Sequence, residues 1–130
     1  MILLDTHTWF WWIQNDPKLP LATSVYLRAQ LVSGLGVSII SCWEIAQLEA
    51  RGKITLPVPI RPWLNTALTA TGIHLLNLTP EIVVEANNLP GTFHRDPADR
   101  LIVATARVQQ LPLVTEDSKI RQYPHVQLAP

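Results

Sequence analysis

The chain has a single cysteine, Cys42, which excludes an internal disulfide and any cysteine-cluster zinc site and fits a reducing, cytoplasmic setting. It has no excess of positive charge: ten Lys and Arg balance ten Asp and Glu. No overall field therefore gathers nucleic acid, and any such site has to be local. A membrane-length apolar run is missing too. The longest uncharged stretch, Pro62 to Pro80, is broken by Asn65, Thr66, Thr69, Thr71, His74 and Asn77. At the N-terminus, Met1-Ile2-Leu3-Leu4-Asp5 lacks the basic segment of a secretion signal and meets an acid at once.

Several chemical motifs are absent as well. Gly34-Leu35-Gly36 lacks a third glycine and precedes a strand pattern, which argues against a dinucleotide site, and no GxxxxGK[ST] phosphate loop occurs. Ser and His residues are present without a nucleophile elbow. His7, His74, His94 and His125 show no paired metal-ligand spacing and read mostly as structural. Asp5-Thr6-His7 lacks the second acid of an Asp-x-Asp phosphotransferase, and Asn77 stands where a phospho-acceptor receiver needs an Asp.

What is present is enough apolar material for one core. With 130 residues, 48% of them hydrophobic, the chain predicts one domain over residues 1–130. Ile2 to Leu4 is a buried-strand pattern ending in Asp5, and Gly36 to Ile40 is another. Ser41-Cys42-Trp43-Glu44 has the form of a capping box opening a helix that Gly52 stops. Ile60 to Thr71 reads as a helix ended by Gly72, His74 to Leu78 as a strand, and Thr79-Pro80-Glu81 as the next helix start. Asp96-Pro97-Ala98-Asp99 starts a helix running to about Gln110. Leu111 to Thr115 is a strand ending in Glu116-Asp117, and His125 to Leu128 is a last short strand. Strands alternating with helices at these spacings predict a three-layer α/β fold with a parallel sheet.

In such sheets, sites form beyond the carboxyl ends of the strands. Asp5, Glu44, Asp99 and Asp117 all fall at that edge. Two carboxylates about 4 Å apart repel by roughly 4 kcal/mol at an effective dielectric of ~20, so four together call for a cation. Oxygen-only ligands suit Mg²⁺ or Mn²⁺, which also activate water near neutral pH. Helix capping accounts equally well for Glu44, Asp96, Asp99 and Asp117 taken singly, and a polar turn accounts for Asp5. The residues by themselves leave both accounts open.

Four segments taken together narrow the choice: Leu3-Leu4-Asp5-Thr6-His7, Ser41-Cys42-Trp43-Glu44-Ile45-Ala46, Asp96-Pro97-Ala98-Asp99-Arg100-Leu101-Ile102-Val103-Ala104-Thr105-Ala106, and Leu113-Val114-Thr115-Glu116-Asp117. In order and spacing they resemble the PIN domains, and within them the VapC-type toxins of toxin-antitoxin pairs. The resemblance implies an α/β/α sandwich with a five-stranded parallel sheet, Mg²⁺ or Mn²⁺ in an acidic pocket, and endonucleolytic cleavage of RNA. It implies that Asp5, Glu44, Asp99 and Asp117 form the acidic quartet, supported by Thr115, Asp96 and Thr6. Many relatives have Asn at the position of His7.

Arg95, Arg100, Lys119 and Arg121 neighbour the acids in sequence and are candidates for RNA phosphate contacts, with ordinary surface charge as the alternative. Trp9-Phe10-Trp11-Trp12 follows Asp5 directly; on a helix one core-facing stripe cannot hold all four, so some of Trp9, Trp11 and Trp12 should face outward. Exposed contiguous aromatics mark interfaces; the alternative is a tightly folded loop, or a neighbouring helix that covers the remainder. The resemblance points to a cognate antitoxin that covers them and to a homodimer through a separate surface. The rival functions are a non-catalytic module of this fold acting through partner binding, and a DNA nuclease.

Overall fold

The computed structural model describes residues 1–130. Strand β1, Ile2–Leu4, is the hub: all three residues are buried, and it pairs in parallel with β2, Leu35–Ser38, on one side and β4, Leu113–Val114, on the other. β3, Ile73–Leu76, forms the edge beyond β2, so the order is β3-β2-β1-β4. Because side chains alternate across a strand, Ile2 and Leu4 enter one core cluster and Leu3 the other. That alternation makes three layers.

The first cluster gathers Trp9 of α1 (Thr6–Gln14), Leu27 of α2 (Leu21–Ala29), Ile45 of α3 (Ile39–Ala50) and Trp63 of α4 (Ile60–Thr69). The second gathers Ile82 of α5 (Pro80–Ala86), Ile102 of α6 (Pro97–Gln109) and Ile120 of α7 (Ser118–Arg121). α5 and α6 start as the sequence predicts. Thr79 Oγ1 accepts from Ile82 N at 3.2 Å, and Asp96 Oδ1 accepts from Asp99 N at 2.9 Å.

Several boundaries differ from expectation, among them β3, which spans Ile73–Leu76 and not His74 to Leu78. The sheet has four strands, not five: the segment expected as a last strand contributes only one parallel bridge, Leu128 to Leu113. Pro112 has no N–H to give, and β4 is two residues long, so there is little ladder to extend. β2 stops at Ser38, whose Oγ accepts from Ile40 N at 3.2 Å and caps α3, so the predicted Ser41 capping box does not form. The apolar pair Ile39-Ile40 looks like strand but opens a helix. α4 ends at Thr69, short of Thr71. α2 carries no side-chain cap, its N-cap being Pro20, so the sequence gives it no start signal.

Candidate active site

The chain runs outward from β1 through β2 to β3, then returns to place β4 on the other side of β1. The seam between β1 and β4 is therefore the topological switch point, where the strand ends open a crevice. Asp5 and Thr115 stand at the two strand ends there, both buried, and Thr115 Oγ1 donates to Asp5 Oδ2. Asp5 Oδ1 accepts from Thr8 N at 2.9 Å, so this acid also caps α1 instead of being a turn residue.

Starting α3 at Ile39 carries Glu44 past the first turn and away from any capping duty. Its Oε1 accepts from Thr6 Oγ1, which is itself hydrogen-bonded with Ser41 Oγ at 2.8 Å. Asp96 caps α6 and brings Asp99 into the helix's first turn, with Asp99 Oδ2 3.0 Å from His94 Nε2. The contact is close but not aligned as a hydrogen bond, leaving His94 Nε2 without one. Asp117 Oδ1 accepts from Lys119 N at 2.8 Å and Ile120 N at 3.3 Å, capping α7.

Five carboxylates, from Asp5, Glu44, Asp96, Asp99 and Asp117, line one cavity of about 250 Å³ with Thr6, His7, His94 and Lys119, and no hydrophobic side chain. The capping account and the site account thus hold for the same residues. Asp5, Asp96 and Asp117 cap helices whose positive ends point at the cavity.

The crowding shows in proton affinity. Burial, then the negative charges of Asp96, Asp117, Glu44 and Asp5, raise the Asp99 carboxyl to about 7. Glu44 is raised by burial against the opposing Thr6 hydrogen bond, with Asp96 and Asp5 adding to the rise. Asp5 is raised by burial despite the bonds from Thr115 and Thr8. Five carboxylates against one lysine make an oxygen-rich donor set that fits Mg²⁺ or Mn²⁺, with His7 and His94 on the same walls. No three His, Cys, Asp or Glu side chains are yet gathered closely enough to hold an ion, so ligation requires side-chain adjustment.

A family model, the PIN domain, matches residues 2–126. The chain belongs to the PIN-domain family. This PIN domain is 36% identical over 124 residues to ribonuclease VapC22 of Mycobacterium tuberculosis, covering 95% of this chain and 92% of that one. Its fold is similar to VapBC2 of Rickettsia felis, solved bound to a DNA fragment from its promoter (TM-score 0.70, 20% identity, 99% and 98% of the two chains). A toxin-antitoxin complex from Klebsiella pneumoniae is similar at TM-score 0.60 and 18% identity over 97% and 95%.

The cations of this PIN domain divide. Lys119 lines the acid cavity. Arg95 is exposed but borders a separate hollow with Leu78 and Val83. Arg121 Nη1 donates to Thr115 O at 2.9 Å, steadying the β4 end. Arg100 is withdrawn from the phosphate candidates, because Nε donates to Ala86 O at 2.8 Å and Nη1 to Phe93 O and His94 O at 3.1 and 3.2 Å. It ties the loop before α6 to α5.

The aromatic run is helical and divides as well. Trp9 is fully buried, with Nε1 3.4 Å from Ala67 O, and is withdrawn as a partner contact. Trp11 and Trp12 are half-buried and border a groove of about 320 Å³ with Leu19 and Leu21. The sequence reading missed His7 and His94 at the acid cavity. The only signal available was their nearness to Asp5 and Asp96, which does not give side-chain direction.

Proposed function

We propose that this PIN domain is a metal-dependent endoribonuclease, the toxin of a toxin-antitoxin pair, that hydrolyses RNA phosphodiester bonds through Asp5, Glu44, Asp99 and Asp117. The observation that carries the reading is the convergence of five carboxylates on one cavity lined by no hydrophobic residue, where burial and four neighbouring acids raise the Asp99 carboxyl to about 7. A cluster that costly for folding alone fits a site for a divalent cation. Mg²⁺ or Mn²⁺, when bound, supplies charge stabilisation at the phosphodiester and lowers the pKa of the attacking water.

The chain's own part is positioning. Thr115 fixes the direction of the Asp5 carboxylate, and Thr6 that of Glu44. Asp96 sets the first turn of α6 from which Asp99 projects. Lys119 is the cation available to a phosphate inside the cavity, with Arg95 and Arg121 outside it.

Solved neighbours of this fold are complexes with a second chain, which supports a cognate antitoxin here. The groove at Trp11 and Trp12 is its seat, extended by Leu21, which is 80% exposed. A homodimer uses a separate face, for which the exposed Val83 and Val84 of α5 are available. No helix is long and apolar enough to cross a membrane; the RNA substrate and the lone cysteine favour the cytoplasm.

The test is incubation of the purified protein with single-stranded RNA and with DNA, each with Mg²⁺, with Mn²⁺ and with chelator. RNA cut only in the presence of metal supports the reading. Metal-independent cutting, or cutting of DNA alone, contradicts it.

A further inference from the structure

Trp11 borders two hollows. Besides the aromatic groove it lines a cavity of about 240 Å³ whose other walls are Asp5, His7, Glu116 and Asp117. Asp5, His7 and Asp117 also line the acid cavity, so the two hollows are adjoining parts of one cleft. His7 leans on Trp11, with ring centroids 5.7 Å apart and planes tilted by 49°. Glu116 is held at the mouth because its Oε1 accepts from Thr23 Oγ1 of α2 at 3.1 Å. Its other oxygen is free.

The walls select an occupant. With Asp5 and Asp117 given to the cation in the reading above, Glu116 is the free carboxylate beside Trp11, and a single apolar wall gives an aliphatic chain little to bury against. A flat ring with N–H donors on its edge fits this lining, laying its face on the indole and turning its edge to Glu116; a partner's guanidinium shares that shape and is the rival the experiment separates. We propose that the Trp11 indole, with His7 tilted against it, is a stacking platform for one unpaired nucleobase of the bound RNA beside the bond to be cut, with Glu116 accepting from that base's N–H edge. The inference rests on the ribonuclease reading above and deepens it. Its consequences are a requirement for single-stranded RNA at the cut and a base preference set at Glu116.

The experiment measures binding of a short fluorescein-labelled single-stranded RNA by anisotropy, in an Asp99→Asn background that prevents turnover, alongside cleavage by the parent. Trp11→Ala is expected to weaken binding about tenfold and Trp11→Phe to stay within about threefold, since an aromatic face is kept. Glu116→Gln is expected to change the ranking of bases at one position. In a scan of abasic substitutions along the RNA, one position is expected to weaken binding to intact Trp11 and to leave Trp11→Ala unaffected. The scan on the intact side chain and the Phe variant keep the test decisive if Trp11→Ala melts early. Equal binding by Trp11→Ala, an abasic penalty independent of Trp11, or a loss confined to affinity for a protein partner overturns the platform. A parent that cuts RNA without any Trp11 dependence overturns the platform alone. A parent that neither binds nor cuts RNA overturns the ribonuclease reading with it.

Discussion

Thr115 and Asp5, 110 positions apart in sequence, are joined by a buried hydrogen bond across the seam between β4 and β1. That bond turns a strand pairing into a functional constraint, because the register Leu4 to Val114 brings the two residues level at the strand ends. Thr115→Val keeps the shape and removes both the donor to Asp5 and the acceptor of the Asp117 N–H. It should cost about 1–3 kcal/mol of stability by stripping a partner from a buried carboxylate, and should raise the proton affinity of Asp5 further. Denaturant unfolding measures the first effect; an unchanged midpoint would mean the bond does not hold Asp5.

Stability without metal should fall as pH rises. The Asp99 carboxyl, at about 7 in the folded chain against an ordinary 3.8, binds its proton more tightly folded than unfolded. Its stabilising contribution is therefore complete below about pH 4 and is lost as pH climbs through about 7; Asp5 and Glu44 shift in the same direction. In chelator, melting temperature should drop between pH 5 and pH 8 in the parent and drop less in Asp99→Asn. An identical slope in both would contradict the assigned crowding.

Mg²⁺ or Mn²⁺ should restore that lost stability by binding the native state alone. The melting temperature of the parent should rise with either ion, and much less in Glu44→Gln or Asp99→Asn. The same rise in all three proteins would place the ion outside the cavity.

The aromatic helix should split by residue. Trp9→Ala removes a fully buried indole and should cost about 3–5 kcal/mol of folding stability. Trp12 is half-buried against the core and under Arg28, so Trp12→Ala should cost less folding stability than Trp9→Ala and weaken the antitoxin complex by at least ~2 kcal/mol, measured by calorimetry, while cleavage by the free protein is spared. Equal partner affinity after Trp12→Ala would move the interface elsewhere.

These residues also show where sequence is informative and where it is not. The strand apolarity at Ile2 to Leu4 and the caps at Thr79 and Asp96 are local signals, and they carry through to the structure. Asp5, Glu44, Asp99 and Asp117 could be placed at one edge because strand ends share an edge in a parallel sheet. Which aromatic turns inward depends on what packs against α1, and Trp63 and Ala67 of α4 claim Trp9 from far along the chain. Arg100 shows the same limit, since the carbonyls that occupy it come from α5 and the following loop. The last strand fails because a single bridge to Leu113 needs no strand of its own.

Asn caps a helix about as well as Asp, so Asp5→Asn keeps the α1 cap while weakening any role in metal chemistry. Asp99 caps nothing, and its removal relieves repulsion. The most direct measurement is therefore RNA cleavage at fixed Mn²⁺ by the parent, Asp5→Asn and Asp99→Asn, with each variant's unfolding midpoint taken alongside. The account predicts cleavage abolished in both variants, with the stability of Asp99→Asn unchanged or raised. Cleavage retained in both variants would contradict it and leave these acids as fold elements only.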